Sequence, residues 1–91
     1  MVARAWEIEL NGASEEQIES VREMLWEWIE TVPHEDDGEG DGTTYRFYHE
    51  GFYDYDIRPV LRDVRDALKE EGIKGAVRFG ESEEIKLVEL D

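Results

Sequence analysis

Alternation of apolar and polar residues predicts a strand near the start of the chain, followed by a helix. Residues 4–10 place apolar side chains at every second position, which gives a strand one apolar face. Ser14 and Gln17 form a capping-box pattern that starts a helix, and Pro33 ends it at the preceding residue or earlier. The apolar stripe predicted for this helix comprises Ile18, Val21, Leu25, Trp28, Ile29 and Val32.

A glycine-rich acidic segment separates this helix from the next predicted strand. Residues 33–42 contain three glycines and five acids, a composition that does not form a packed element. We therefore expect residues 33–44 to form a flexible loop. Residues 43–49 are rich in β-branched and aromatic side chains, which is typical of a strand, whereas residues 52–55 fit a short strand or an aromatic loop equally well.

The second half of the chain predicts another helix and a hairpin. Asp56 can cap a helix that carries Pro59 in its first turn, and Gly72 suits the position after its C-terminus. Residues 73–80 and 84–90 then predict two antiparallel strands joined by a short turn. The apolar stripe of this second helix comprises Ile57, Val60, Leu61, Val64 and Leu68.

The element order β-α-β-(β)-α-β-β predicts an α+β fold in one domain spanning residues 1–91. Elements with one apolar side favour a two-layer sandwich, with two helices on one face of a four- or five-stranded mixed or antiparallel sheet. A ferredoxin-like arrangement follows if residues 52–55 pair with the sheet.

The charge balance excludes several classes of function. With 25 acidic and 10 basic residues, the net charge is −15, which argues against direct binding of nucleic acid or of an anionic membrane surface. The absence of cysteine excludes disulfides, thiolate metal sites and a cysteine nucleophile. No apolar run reaches the roughly 20 residues of a membrane span. We expect a cytoplasmic protein, in the host cytoplasm if a phage encodes it.

The first helix carries its acids on the side opposite its apolar stripe. At about 100° per residue, five glutamates fall within an arc of about 80°, although like charges at this spacing cost a few tenths of a kcal/mol per pair. Trp26 stands beside them, and tryptophan is enriched among interface hot spots, although it could instead pack under a loop or against a strand. The column of glutamates, here named the acidic ridge, comprises Glu16, Glu19, Glu23, Glu27 and Glu30.

The second helix is predicted to have an ordinary solvated face of mixed charge. Its bases share an outer face and are flanked by acids at spacings that allow ion pairs. The bases are Arg58, Arg62, Arg65 and Lys69, and the acids are Asp63, Asp66 and Glu70.

Residues 37–42 resemble the first half of a calcium-binding loop, with acids at its positions 1, 3 and 5 and glycine at position 6. Position 12 is Tyr48 instead of the bidentate glutamate, so Asp37, Glu39 and Asp41 are only weak candidates for a cation site. We expect no cofactor and a loop without a ligand.

Other side chains with possible chemistry give weaker signals. His34 and His49 have acids beside them, which would suit an acid–base site. We expect instead that both are polar loop residues and that the protein is not an enzyme. Of the aromatic residues between positions 45 and 55, some of Tyr48, Tyr53 and Tyr55 should be exposed. They would either pack on a sheet face or form a contact surface next to the acidic loop.

Size and charge favour a small inhibitor or interaction protein. The chain resembles, in these two properties alone, anti-CRISPR and anti-restriction proteins of phages and immunity proteins that block nucleases. Its carboxylates would occupy a basic, nucleic-acid-binding surface of a partner protein after electrostatic steering. The acidic ridge and Trp26 are the first candidate contacts, and Asp36, Asp37, Glu39 and Asp41 are the second.

The alternative is a cytoplasmic domain of a salt-loving organism in which acidity serves solubility. Seven arginines against three lysines, with a diffuse excess of acids, fit this hypothesis. The sequence leaves the partner and the oligomeric state open.

Overall fold

The computed structural model describes residues 3–29, 38–40, 44–53, 55–81 and 86–90. One sheet with strand order β2-β3-β1-β4-β5 contains every described strand, and all neighbouring strands are antiparallel. The elements along the chain are β1 (Ala3–Asn11), α1 (Glu15–Ile29), β2 (Gly38–Gly40), β3 (Thr44–Phe52), α2 (Arg58–Glu70), β4 (Lys74–Glu81) and β5 (Val88–Glu89).

The predicted α+β fold is confirmed, with a sheet that is antiparallel throughout. Strand β3 lies between β1 and β2, so the two strands of the first β-α-β unit are not neighbours. This is the split β-α-β arrangement of ferredoxin-like folds, but it is completed by Gly38–Gly40 and not by a strand at residues 52–55. Strand β5 extends the sheet beside β4, which confirms the predicted antiparallel pairing of the last two strands.

One prediction about the middle of the chain is wrong, and one alternative that the sequence left open is now answered. Gly38–Gly40, expected in a flexible loop, forms edge strand β2 by pairing with residues 45–47 of β3. A short edge strand needs backbone partners more than buried side chains, so its glycines are tolerated. Phe52 ends β3 and does not begin a separate strand. The rest of the predicted loop before Thr44 lies outside the described residues.

The core lies between one face of the sheet and both helices. Trp6, Ile8 and Leu10 are fully buried, and Ile8 is flanked in register by Phe47 and Val77 on the neighbouring strands. Because one face of β1 shares a single apolar cluster with both helices, the helices cover that face and leave the other open. The helix residues in this cluster are Val21, Leu25, Ile29, Leu61, Val64 and Leu68.

Both helices begin as the sequence signals require, with a shift of one residue at α2. The Ser14 N–H donates to Oε1 of Gln17 (2.9 Å), and the Gln17 N–H donates to Oγ of Ser14 (3.2 Å), which completes the predicted capping box. At α2 the cap position is Ile57, not Asp56. The Asp56 carboxylate still accepts the Arg58 N–H (3.1 Å) and so satisfies a donor of the first turn.

Two glycines are required by the backbone for different reasons. Gly72 has φ +72°, and beside it the Ile73 N–H donates to the Leu68 carbonyl (2.9 Å), which ends α2 as predicted. Gly75 lies where β4 passes close to β1. A Cβ atom there would overlap the backbone carbonyl of Glu9.

Candidate functional site

The acidic ridge faces solvent as far as the structure describes it. Its members Glu16, Glu19, Glu23 and Glu27 are all exposed, whereas the buried residues of α1 lie on the opposite side. Of these four glutamates, only Glu19 makes an ion pair with another described residue. Glu30 lies outside the described residues. Most of the described ridge is therefore negative charge that no arginine or lysine of the described residues pairs with.

Arg22 is the only base of α1, and it points mainly toward the sheet. Its Nε lies 3.2 Å from Oε1 of Glu19. Its Nη2 donates to the Tyr45 hydroxyl (2.8 Å), and its guanidinium carbon lies 5.5 Å from the centre of the Phe47 ring. Since this guanidinium is held on aromatic groups of β3, it neutralises only one edge of the ridge.

The open face of the sheet, in contrast, carries a cluster of two acids and two bases whose charges balance. Arg78 Nη1 lies 3.2 Å from Glu7 Oε2 and 3.4 Å from Glu9 Oε1, and Arg46 lies 3.5 and 3.4 Å from the same two carboxylates. A hydrogen bond from Asn11 lowers the pKa of Glu9, with help from both arginines and against the effect of burial. We name these two glutamates and two arginines the sheet quartet.

The remaining ion pairs also lie away from the ridge. Six of the seven arginines pair with acids among the described residues, and only Arg22 pairs with a ridge residue. Arg4 bonds Glu81 (3.1 Å). Arg58 bonds Asp56 (2.9 Å) and lowers the pKa of that carboxyl to about 2. The chain thus directs its own cations to other surfaces.

Several large aromatic and apolar side chains are exposed. Trp26, on the shoulder of the ridge, is 57% exposed, so it is not packed under a neighbouring element. As expected for part of the tyrosine cluster, Tyr48 and Tyr55 are also exposed, and Tyr53 is half-buried. Of these, Trp26 is the one that stands beside the uncompensated carboxylates of α1.

A groove between α1 and α2 was not anticipated from the sequence. Trp28, predicted in the buried stripe of α1, is 40% exposed and stands beside residues of α2. It forms one side of an open groove of about 500 Å³, here named the interhelix groove. The lining comprises Trp28, Val60, Asp63, Asp66, Ala67 and Glu70.

The groove adds detail to the prediction that α2 has a solvated face of mixed charge, with its bases flanked by acids. All three of its acids between Asp63 and Glu70 line the groove. On a helical wheel of about 100° per residue, its four bases lie on the other flank. The separation could have been found by comparing the wheels of the two helices, but the side that faces α1 is fixed only by the tertiary packing.

The second set of candidate contacts is largely outside the described part of the chain. Asp36, Asp37 and Asp41 are not described, and Glu39 is described only as the middle residue of β2, opposite Arg46. Within the described ranges, no group of three or more histidines and acids is placed to hold a metal ion.

His49 lies in strand β3, in agreement with the strand predicted over residues 43–49 and not with its interpretation as a polar loop residue. It lies half-buried in β3, its Nδ1 is 2.8 Å from the Tyr53 hydroxyl, and its ring stacks on Trp6 with 5.8 Å between centroids. The Trp6 indole N–H donates to the same hydroxyl (3.0 Å). These contacts join the ends of β1 and β3, which is a structural role. His34 lies outside the described residues.

Comparison with known proteins identifies no relative. No protein-family model matches the sequence, and neither curated proteins nor solved structures give a match. Over the described ranges, no helix is long and apolar enough to cross a membrane. The function must be inferred from the surfaces of the molecule itself.

Proposed function

We propose that this chain is a small binding protein without enzymatic activity, which occupies a basic, nucleic-acid-binding surface of a partner protein. The observation that carries the proposal is the acidic ridge. Glu16, Glu23 and Glu27 are exposed, and among the described residues no arginine or lysine pairs with them. The partner class is a nuclease or a nucleic-acid-binding effector complex, as in anti-CRISPR, anti-restriction and nuclease-immunity systems.

The geometry of the ridge supports imitation of a nucleic-acid strand. At about 1.5 Å per residue, the described ridge from Glu16 to Glu27 spans roughly 16 Å. Successive carboxylates three or four residues apart start from Cβ atoms about 5–6 Å apart. This is of the same order as the spacing of charges along one strand of a duplex, about 3.4 Å along the axis.

Trp26 gives this surface an apolar anchor. An exposed indole beside charged groups can fill a pocket on a partner, while the carboxylates pair with its lysines and arginines. The carboxylates would then set the orientation, and the indole would slow dissociation.

The test is charge reversal of the ridge. The variant Glu19→Lys/Glu23→Lys/Glu27→Lys is compared with a control that changes net charge equally at exposed sites elsewhere, Glu50→Lys/Glu71→Lys/Glu89→Lys. Circular dichroism first confirms that both fold. Immobilised chain is then used to capture nucleic-acid-binding proteins, which are identified by mass spectrometry and challenged with duplex DNA.

We expect wild type and the control to capture a basic nucleic-acid-binding protein. Duplex DNA, or salt above about 0.5 M, which screens surface charge, should release it, and the ridge variant should not capture it. The proposal fails if the ridge variant captures the same partner as wild type. It also fails if the captured partner binds DNA unhindered.

A further inference from the structure

The interhelix groove combines an aromatic face with carboxylates and lies on a different flank of α1 from Trp26. Trp28 forms one side of it and is 40% exposed. Val60 and Ala67 contribute the apolar part of the lining, and three acids of α2 contribute the polar part. The groove has about 500 Å³ of open volume, within the range of sites that hold a ligand or a large side chain.

The carboxylates of the groove are mostly uncompensated. Asp66 lies 3.5 Å from Arg65 Nε. Among the described residues, Asp63 and Glu70 have no ion pair, and no arginine or lysine belongs to the described lining. The groove therefore has a negative rim and no cation of its own.

This chemistry matches one kind of occupant. A tryptophan face attracts a cation more strongly than other aromatic rings do. A planar guanidinium can stack flat on that face while its N–H groups donate sideways to carboxylates, whereas a tetrahedral ammonium group has no flat face to stack and no bidentate fork. The apolar lining by Val60 and Ala67 would contact the methylene groups of such a side chain.

We infer that the interhelix groove binds an arginine side chain of the partner protein. The identity of the partner rests on the proposed function, but the groove and its carboxylates are separate from the acidic ridge. A second copy of this chain could offer the bases of α2 to the groove, but two molecules of net charge −15 repel each other. A basic partner has no such penalty.

The test measures binding of two synthetic peptides, hexa-arginine and hexa-lysine, by calorimetry at 0.15 M salt. Two groove variants, Trp28→Leu and Asp63→Asn/Glu70→Gln, are compared with the ridge variant Glu23→Gln/Glu27→Gln as a control that removes the same charge as the second. In a Trp26→Phe background, indole fluorescence reports on Trp28, since Trp6 is fully buried.

We expect wild type to bind hexa-arginine at least fivefold more tightly than hexa-lysine. Each groove variant should abolish this preference, and hexa-arginine should change the fluorescence of the Trp26→Phe protein. The ridge variant should bind both peptides more weakly than wild type does, by about the same factor. The inference is overturned if wild type binds both peptides alike, or if the groove variants keep the arginine preference. It is also overturned if sedimentation shows a dimer that the groove variants dissociate.

The two proposals fail in different ways. Loss of partner capture in the ridge variant, combined with no effect of the groove variants on either peptide, removes the groove and leaves the proposed function. In the opposite case, the preference for hexa-arginine depends on Trp28, but the ridge variant captures the same partner as wild type. That result removes the proposed function and leaves the groove as a site for guanidinium groups.

Discussion

The open face of the sheet and the outer face of α1 carry the same kinds of side chains in opposite arrangements. On the sheet, Glu7 and Glu9 lie within 3.5 Å of Arg46 and Arg78. On α1, the exposed glutamates share a single arginine, which pairs with Glu19. The net charge is therefore not spread evenly over this surface, because the sheet quartet is balanced and the ridge is not.

Register explains how the sheet achieves its balance. Arg46 lies directly opposite Glu9, and Arg78 lies directly opposite Glu7, so cross-strand neighbours have opposite charge. On α1, each described ridge glutamate has another glutamate three or four residues away, and Arg22 is the one base at such a spacing. The comparison teaches that this chain pairs acids with bases across the strands, but places only one base, Arg22, beside the glutamates of the ridge.

The largest expected effect comes from breaking the balanced face. The variant Glu7→Gln/Glu9→Gln leaves two partly buried guanidinium groups without anionic partners. Because hydrogen bonds to charged groups contribute about 1.5–3 kcal/mol, and Arg46 is half exposed, we expect a net loss of about 1–2 kcal/mol in the free energy of unfolding. Urea denaturation measures this, and a loss below about 0.3 kcal/mol would show that the quartet is not stabilising.

A matched change on the ridge should have the opposite sign. The variant Glu23→Gln/Glu27→Gln removes like-charge neighbours that each cost a few tenths of a kcal/mol. We expect the free energy of unfolding to rise by roughly 0.5 kcal/mol in the same urea experiment. A loss of stability would mean that the ridge glutamates make favourable contacts within the molecule.

A smaller effect is expected from salt, which should change the melting temperatures of wild type and the ridge variant by different amounts. Screening weakens repulsion on the ridge, so the melting temperature of wild type should rise slightly with potassium chloride, and that of Glu23→Gln/Glu27→Gln should rise less. Differential scanning fluorimetry from 0.05 to 1 M salt measures both. If wild type is poorly folded at low salt and gains strongly in molar salt, the halophile hypothesis is favoured instead.

The smallest expected effect concerns acid. The pKa of Glu9 is lower in the folded chain than its ordinary value of 4.5, so the folded state binds fewer protons there. Its contribution to stability is complete above pH 4.5 and is lost as the pH falls through the folded pKa. The stability gap between wild type and Glu9→Gln should therefore narrow below pH 4.5, and denaturation at pH 7 and pH 3.5 measures it. A gap of constant size would contradict this assignment.

The elements that depend on local signals were predictable from sequence. The capping box of Ser14 and Gln17, the end of α2 at Gly72, and the one-sided strands follow from contacts within a few residues, or from simple periodicity. The edge strand β2 was missed because Gly38–Gly40 gains its structure only from pairing with β3. The amino-acid composition of residues 38–40 does not indicate which strand they pair with.

The candidate site was predictable only in part, for a similar reason. The exposure of the ridge follows from the wheel of a single helix, whereas the wheel left the exposure of Trp26 open. The exposure of Trp28 depends on how α1 and α2 pack, and the position of Asp63 on the groove depends on the rotation of α2 about its axis. The apolar pattern of a single helix gives neither the packing of α1 on α2 nor the rotation of α2.

The close approach at Gly75 makes this the position at which the chain tolerates the least variation. A Cβ atom at Gly75 would overlap backbone atoms of Glu9, which cannot move aside as a flexible side chain can. A Cβ atom at Gly72 would meet nothing within 4 Å. In a library that samples every amino acid along the chain, glycine alone should survive selection for folding at codon 75. At codon 72 asparagine should also survive, since it adopts left-handed backbone more readily than other residues.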